Sequence, residues 1–165
     1  MYKKILVPLD GSELAEKVLP HAVALAKGSG AEVTLLTVVQ LSLGFTGAKL
    51  EAIPEAAAER KAALRAEAMT YLEKIRRDLK EQGITARAVA LDGDAAAQII
   101  AYAEREGFDL VTMATHRRSG IDRFVMGSIA EKVVRSTIKP VLLIRAIPVV
   151  PRHLDWREIT VPPAP

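Results

Sequence analysis

Lys3-Lys4-Ile5-Leu6-Val7-Pro8-Leu9-Asp10-Gly11-Ser12 opens the chain with an apolar run that stops at proline and turns through Asp-Gly-Ser. A short, nearly continuous aliphatic run bounded by a turn signal reads as a strand buried on both faces, the kind that parallel sheets use. Residues 3–8 are therefore predicted to form a first strand. The spacing of Leu14, Val18, Ala22 and Leu25 then predicts a helix over 12–27, with Gly28-Ser29-Gly30 as its stop. Pro20 falls inside it. Proline removes a backbone donor and crowds the preceding turn, so it should kink this helix or divide it in two.

The alternation continues. Residues 32–39 are rich in β-branched and aliphatic side chains and predict a second strand, while 40–54 carries two glycines and no sustained period and reads as a long loop. From 55 to 82 the chain is rich in Ala, Glu, Arg and Lys. Leu64, Ala68, Leu72, Ile75 and Leu79 form one stripe, which predicts a long amphipathic helix closed by Gly83. A third strand is expected over 85–91, a turn at Asp92-Gly93-Asp94, and a helix over 95–106 with Ile99, Ile100 and Ala103 facing inward. A fourth strand over 110–115, a helix over 128–138 and a fifth strand over 141–145 complete the pattern. Strands alternating with helices predict an α/β fold with an open parallel sheet, its right-handed crossovers placing helices on both faces.

Length and composition agree with this reading. A chain of 165 residues is expected to form one domain, taken as 1–147, and 148–165 is a proline-rich C-terminal extension containing Pro148, Pro151, Pro162, Pro163 and Pro165. Half the residues are hydrophobic and 26% are charged, the balance of a globular protein. No apolar run approaches the roughly 18 residues of a membrane helix, and the N-terminus lacks a signal-peptide core, so a cytoplasmic protein without membrane attachment is expected. The absence of cysteine excludes disulfides, thiolate metal sites and cysteine nucleophiles. The formal charge of +3 is spread along the helices, and aromatic residues make up only 4% of the chain. Neither a basic patch nor a stacking platform is visible, which argues against nucleic acid as a partner.

In open parallel sheets, ligands bind at the carboxyl ends of the strands near the point where strand order reverses. Three segments should converge there: Pro8-Leu9-Asp10-Gly11-Ser12, Thr37-Val38-Val39, and the loop that begins Ala114-Thr115-His116-Arg117-Arg118-Ser119-Gly120 and runs to Gly127-Ser128. Glycine then serine at a helix start suits a phosphate, because free amides and the helix dipole both favour an anion. Ser128-Ile129-Ala130-Glu131 suits a capping box equally well, with serine and glutamate satisfying the amides themselves. Asp10 fits either a turn or a ribose hydroxyl. His116 reads as a loop histidine, while His21 and His153 show no metal-ligand spacing. The Asp92/Asp94 and Glu104/Glu106 pairs read as solvated, and no phosphate loop, zinc motif or nucleophile elbow is present.

Taken together, Ile5-Leu6-Val7-Pro8-Leu9-Asp10-Gly11-Ser12, Leu110-Val111-Thr112-Met113-Ala114-Thr115-His116, Gly127-Ser128-Ile129-Ala130-Glu131-Lys132-Val133-Val134 and Lys139-Pro140-Val141-Leu142-Leu143-Ile144 make the chain resemble the universal stress protein family over 2–145. The resemblance implies five parallel strands in the order 3-2-1-4-5, frequent homodimers, and in many members an ATP site marked by G-x2-G-x9-G-[ST]. In this chain that motif falls on Ala114, Arg117, Gly127 and Ser128, so alanine and arginine replace two of its three glycines. Arg117 and Arg118 could in turn offer charge to a triphosphate. The resemblance implies that Asp10 meets the ribose, Val38 the adenine through its backbone, and Gly127, Ser128 and Ile129 the phosphates. Pro8, Met113, Ala114, His116 and Arg117 complete the expected cofactor site for ATP with Mg. No catalytic residue is assigned, and any ATP turnover should be slow.

The resemblance also places the fifth strand at a sheet edge. An apolar edge such as Val141-Leu142-Leu143-Ile144 invites pairing, so a homodimer through this strand is expected, with Trp156, Ile159 and Val161 of the extension lying against the partner. The other reading is a nucleotide-free dimeric interaction protein of the same fold.

Overall fold

The computed structural model describes residues 2–40, 54–116 and 127–146. The expected loop after the second strand, Arg117 and the C-terminal extension lie outside these residues.

Among the described residues there are five strands and five helices, with one or two helices between successive strands. In chain order they are β1 (Lys4–Pro8), α1 (Glu13–Glu16), α2 (Leu19–Ser29), β2 (Glu32–Val39), α3 (Pro54–Glu81), β3 (Ala86–Asp92), α4 (Ala95–Arg105), β4 (Leu110–His116), α5 (Ser128–Ser136) and β5 (Val141–Ala146). The strands form one sheet in the order β3-β2-β1-β4-β5, and every pairing is parallel. This is the architecture expected. Pro20 divides the first helical stretch: it stands in the first turn of α2, where its missing N–H costs no intrahelical bond.

Strand periodicity sorts the core into two layers. Ile5, Val7, Val33, Leu35 and Leu110 point to one face and pack against Val18, Leu19 and Val23 beside α1 and on α2, and against Leu72, Ile75 and Leu79 of α3. Leu6, Leu36, Val111 and Met113 point the other way, onto Ala96, Ile99 and Ala103 of α4 and Ala130 and Val133 of α5. Both faces are therefore covered, as an all-parallel sheet requires. Thr112 is fully buried, and its hydroxyl reaches the carbonyl of Leu6 at 3.4 Å across the β1–β4 seam.

The amino end of β1 is tied by Asp109, whose Oδ2 accepts from the amides of Lys3 at 2.8 Å and Lys4 at 2.9 Å. Those two hydrogen bonds hold its carboxyl below the usual carboxylate range.

The stripe on α3 is buried only in its C-terminal half. Leu72, Ile75 and Leu79 are buried, whereas Leu64 and Ala68 are partly exposed and most residues before Tyr71 face solvent. Asp92 holds that N-terminal half by ion pairs to Lys61 at 3.3 Å and Arg65 at 3.2 Å. Its surroundings differ from the solvated turn expected of it. Leu72→Ala should therefore destabilise the fold by about 2–5 kcal/mol, the cost of a core cavity. The same change at Leu64 should cost well under half of that. Urea denaturation of both variants checks the contrast.

Candidate functional site: a cleft at the carboxyl ends of the strands

β1 ends at Pro8, paired in register with Leu36, and the Leu9 amide continues the ladder by donating to the Leu36 carbonyl at 2.8 Å. Thr37 then fastens the turn, its hydroxyl donating to the Leu9 carbonyl at 2.9 Å. The chain reverses at Gly11, whose φ of +82° is the left-handed region that glycine enters without a Cβ penalty. Asp10 Oδ1 accepts from the amide of Ser12 at 3.0 Å and from its hydroxyl at 2.6 Å, so Asp10 builds the turn. It also lines the cleft above it.

α1 is anchored from behind. Tyr71 on α3 donates its hydroxyl to Glu16 Oε1 at 3.1 Å. Burial first, and then the charge and hydrogen bond of Glu16, push that phenol far above its ordinary range, so it stays protonated and keeps donating.

The cleft has a volume of about 620 Å³, within the usual range for small-molecule sites. It brings together Pro8 and Asp10 of the first segment, Val38 of β2, Met113 and Ala114 of β4, and Gly127, Ser128 and Ile129 at the start of α5. Eight of the ten residues expected from the sequence thus share one cavity wall. His116 closes β4, with its side chain outside the described set, and Arg117 lies beyond the described residues.

The start of α5 differs from a capping box. Gly127, not Ser128, is the N-cap residue, and as a glycine it offers the first turn no side-chain acceptor. Ser128 is one position too late to cap, and Glu131 reaches forward to Arg135 at 3.0 Å instead of back to the helix start. The Glu131 amide donates to the Gly127 carbonyl at 2.9 Å, the first bond of the helix, which leaves the amides of Ser128, Ile129 and Ala130 at the cleft without an intrahelical partner and without a cap from the N-cap residue. A Cβ built on Gly127 meets nothing within 4 Å, and its φ of −47° is open to any residue.

Some of the wall was not anticipated. Leu14 and Ala15 of α1 and Ala95 and Ile99 of α4 also line the cleft. The signal for Ala95 was available, since it follows the turn at the carboxyl end of β3, where Asp94 Oδ1 caps α4 by accepting from the Ala97 amide at 2.9 Å. Among the described residues no group of His, Asp or Glu is arranged to hold a metal ion, and no helix is long and apolar enough to cross a membrane.

A doubly wound parallel sheet with a cleft at its switch point defines a broad class of ligand-binding α/β proteins. Comparison with known proteins narrows it. The model of the universal stress protein family matches residues 1–145. Universal stress protein MJ0531 of Methanocaldococcus jannaschii is 34% identical over 145 residues, covering 88% of this chain and 83% of the relative. The solved structure of MJ0577 from the same organism superposes with a TM-score of 0.75 at 32% identity, over 88% of this chain and 96% of that one. A universal stress protein family member from Arabidopsis thaliana, solved with AMP bound, shares the fold at a TM-score of 0.61 and 18% identity, over 88% and 93% of the two chains. The chain belongs to the universal stress protein family.

If the glycine at the helix start serves the cleft and not the fold, Gly127→Asp should leave stability within a few tenths of a kcal/mol of wild type, slightly raised, because aspartate is a better N-cap. Thermal unfolding followed by circular dichroism measures it.

Proposed function

We propose that this stress-response module binds ATP in the cleft between Asp10 and the start of α5. The observation that carries the reading is the first turn of α5 in the cleft wall: its N-cap is a glycine with no side chain to satisfy the free amides, and these amides, at the positive end of a helix dipole, form a seat for a phosphate. Asp10 stands on the opposite element and supplies an acceptor for sugar hydroxyls. Val38, at the end of β2, offers backbone groups to a base, and Pro8, Met113 and Ala114 form the apolar floor. The AMP bound by the Arabidopsis relative supports a nucleotide as the ligand class. His116, the last residue of β4, and Arg117, next to it in sequence, belong to the proposed site, with Arg117 supplying charge to the phosphates. Magnesium would accompany the triphosphate, held by phosphate oxygens, water and at most one or two carboxylates. We assign no catalytic residue and place the protein in the cytoplasm.

Isothermal titration with MgATP should give saturable heat at submillimolar to millimolar ligand, and Gly127→Asp should abolish it by placing a carboxylate in the anion seat. Absence of heat from the wild-type protein at millimolar ligand refutes the reading.

β5 favours a second, compatible element of function: a homodimer. β5 is the last strand of the sheet, its residues Val141 to Ile144 are only partly buried, and Ile138, just before it, is 83% exposed. Among the described residues nothing pairs with this edge, and an apolar edge is a template for a second copy; the extension after residue 147, with Trp156, Ile159 and Val161, would add apolar area to the pair. Without nucleotide binding, this surface alone would define a dimeric interaction protein. Light scattering should give twice the chain mass for the full chain, and a chain ending at Ile147 should dissociate at higher concentration. A monomeric full chain rejects the dimer.

A further inference from the structure

We infer that Ser12 is a positioning residue that aligns the Asp10 carboxylate for a ribose and so gives the cleft its preference for ribonucleotides; the inference rests on the nucleotide reading above. A carboxylate on an exposed turn has a soft terminal torsion and rotates among many acceptor directions. In this protein Oδ1 of Asp10 takes two hydrogen bonds from one residue, the Ser12 amide at 3.0 Å and the Ser12 hydroxyl at 2.6 Å. The second lies in the short range of a hydroxyl bound to a charged oxygen. Both bonds fall on the same carboxylate oxygen and so restrain the rotation of the group.

The hydroxyl itself is not free to turn. Ser12 Oγ accepts from the Ala15 amide at 3.1 Å as the N-cap of α1, so its acceptor side faces the helix. A serine hydroxyl has one proton, and with the helix amide on its lone pair that proton is directed to Asp10. α1 is held in turn by the Tyr71–Glu16 hydrogen bond, and the turn by Thr37 on the Leu9 carbonyl. The orientation of Asp10 is thus referred through Ser12 to α1, α3 and β2. An acceptor already aligned loses less on binding a sugar hydroxyl than one that must be ordered.

Calorimetric titration of the full-length protein with MgATP and with Mg-2′-deoxyATP, on wild type, Ser12→Ala and Ser12→Thr, tests this. Wild type should prefer ATP by about tenfold or more, the range of a hydrogen bond to a charged group. Ser12→Ala should lower ATP affinity and bring the preference down at least about threefold while 2′-deoxyATP affinity stays as in wild type. Ser12→Thr, which keeps the hydroxyl, should restore the preference. A Ser12→Ala variant that keeps the wild-type ratio overturns the inference, whether both affinities hold or both fall together, the latter being what loss of a helix cap alone would produce. Equal affinity of the wild type for the two nucleotides overturns it as well. Wild type that takes neither nucleotide refutes the nucleotide reading itself, and the Ser12 assignment falls with it.

Discussion

The pairing of β1 on both of its edges is the constraint on which the molecule depends. On one side Lys4 to Pro8 run in register with Glu32 to Leu36; on the other, Ile5 and Leu6 meet Leu110 and Val111. The chain leaves β1 toward α1 and α2 on one face, whereas α4 and α5 sit on the other face. The elements therefore diverge at the carboxyl ends of β1 and β4, and a crevice opens there. Its walls belong to helices that the sheet holds by apolar contact, so the site inherits the rigidity of the core without standing inside it.

Polarity runs across that crevice. Asp10 brings an acidic, acceptor-only group to the β1 side, while the start of α5 presents backbone donors and the positive end of a dipole. Between them Pro8, Leu36, Ile99 and Met113 are apolar. A ligand that matches all three needs an anionic end, donors of its own and a flat apolar body. Nucleotides combine these features, and the reading rests on that combination more than on any one residue.

The sheet was legible in the sequence because its central strands are largely buried aliphatic runs; those ending at Pro8 and Val39 differ from the helices by composition alone. The cleft was largely legible because strand ends converge by topology. What sequence could not resolve was the frame of the α5 start. Ser128 and Glu131 have capping-box spacing, and only the backbone reveals that Gly127 is the N-cap, leaving Ser128 inside the first turn and exposed. The stripe on α3 was misleading for a related reason. Periodicity reports which face could be buried, but α3 has 28 residues and the strands it covers have 7 or 8, so its first turns extend past the sheet. Leu64 and Ala68 keep the spacing of core residues with little core to meet.

The two edges of the sheet are treated differently, and the difference bears on how copies of this chain meet. β3 forms one edge and carries charge along it: Arg87, 72% exposed, pairs with Glu32, and Asp92 anchors Lys61 and Arg65. Charged side chains on an edge disfavour the addition of another strand, since pairing would strip their hydration or force like charges together. β5, at the other edge, has four consecutive aliphatic residues before Arg145, and the exposed Ile138 precedes them. On the proposed reading, a sheet with one edge guarded by charge and the other apolar would associate through the apolar edge, and such a contact would close after two copies. The cleft is lined from the carboxyl ends of β1, β2 and β4, and among the described residues none of β5 lines it, so a partner paired to β5 would leave Asp10 and the start of α5 accessible to ligand.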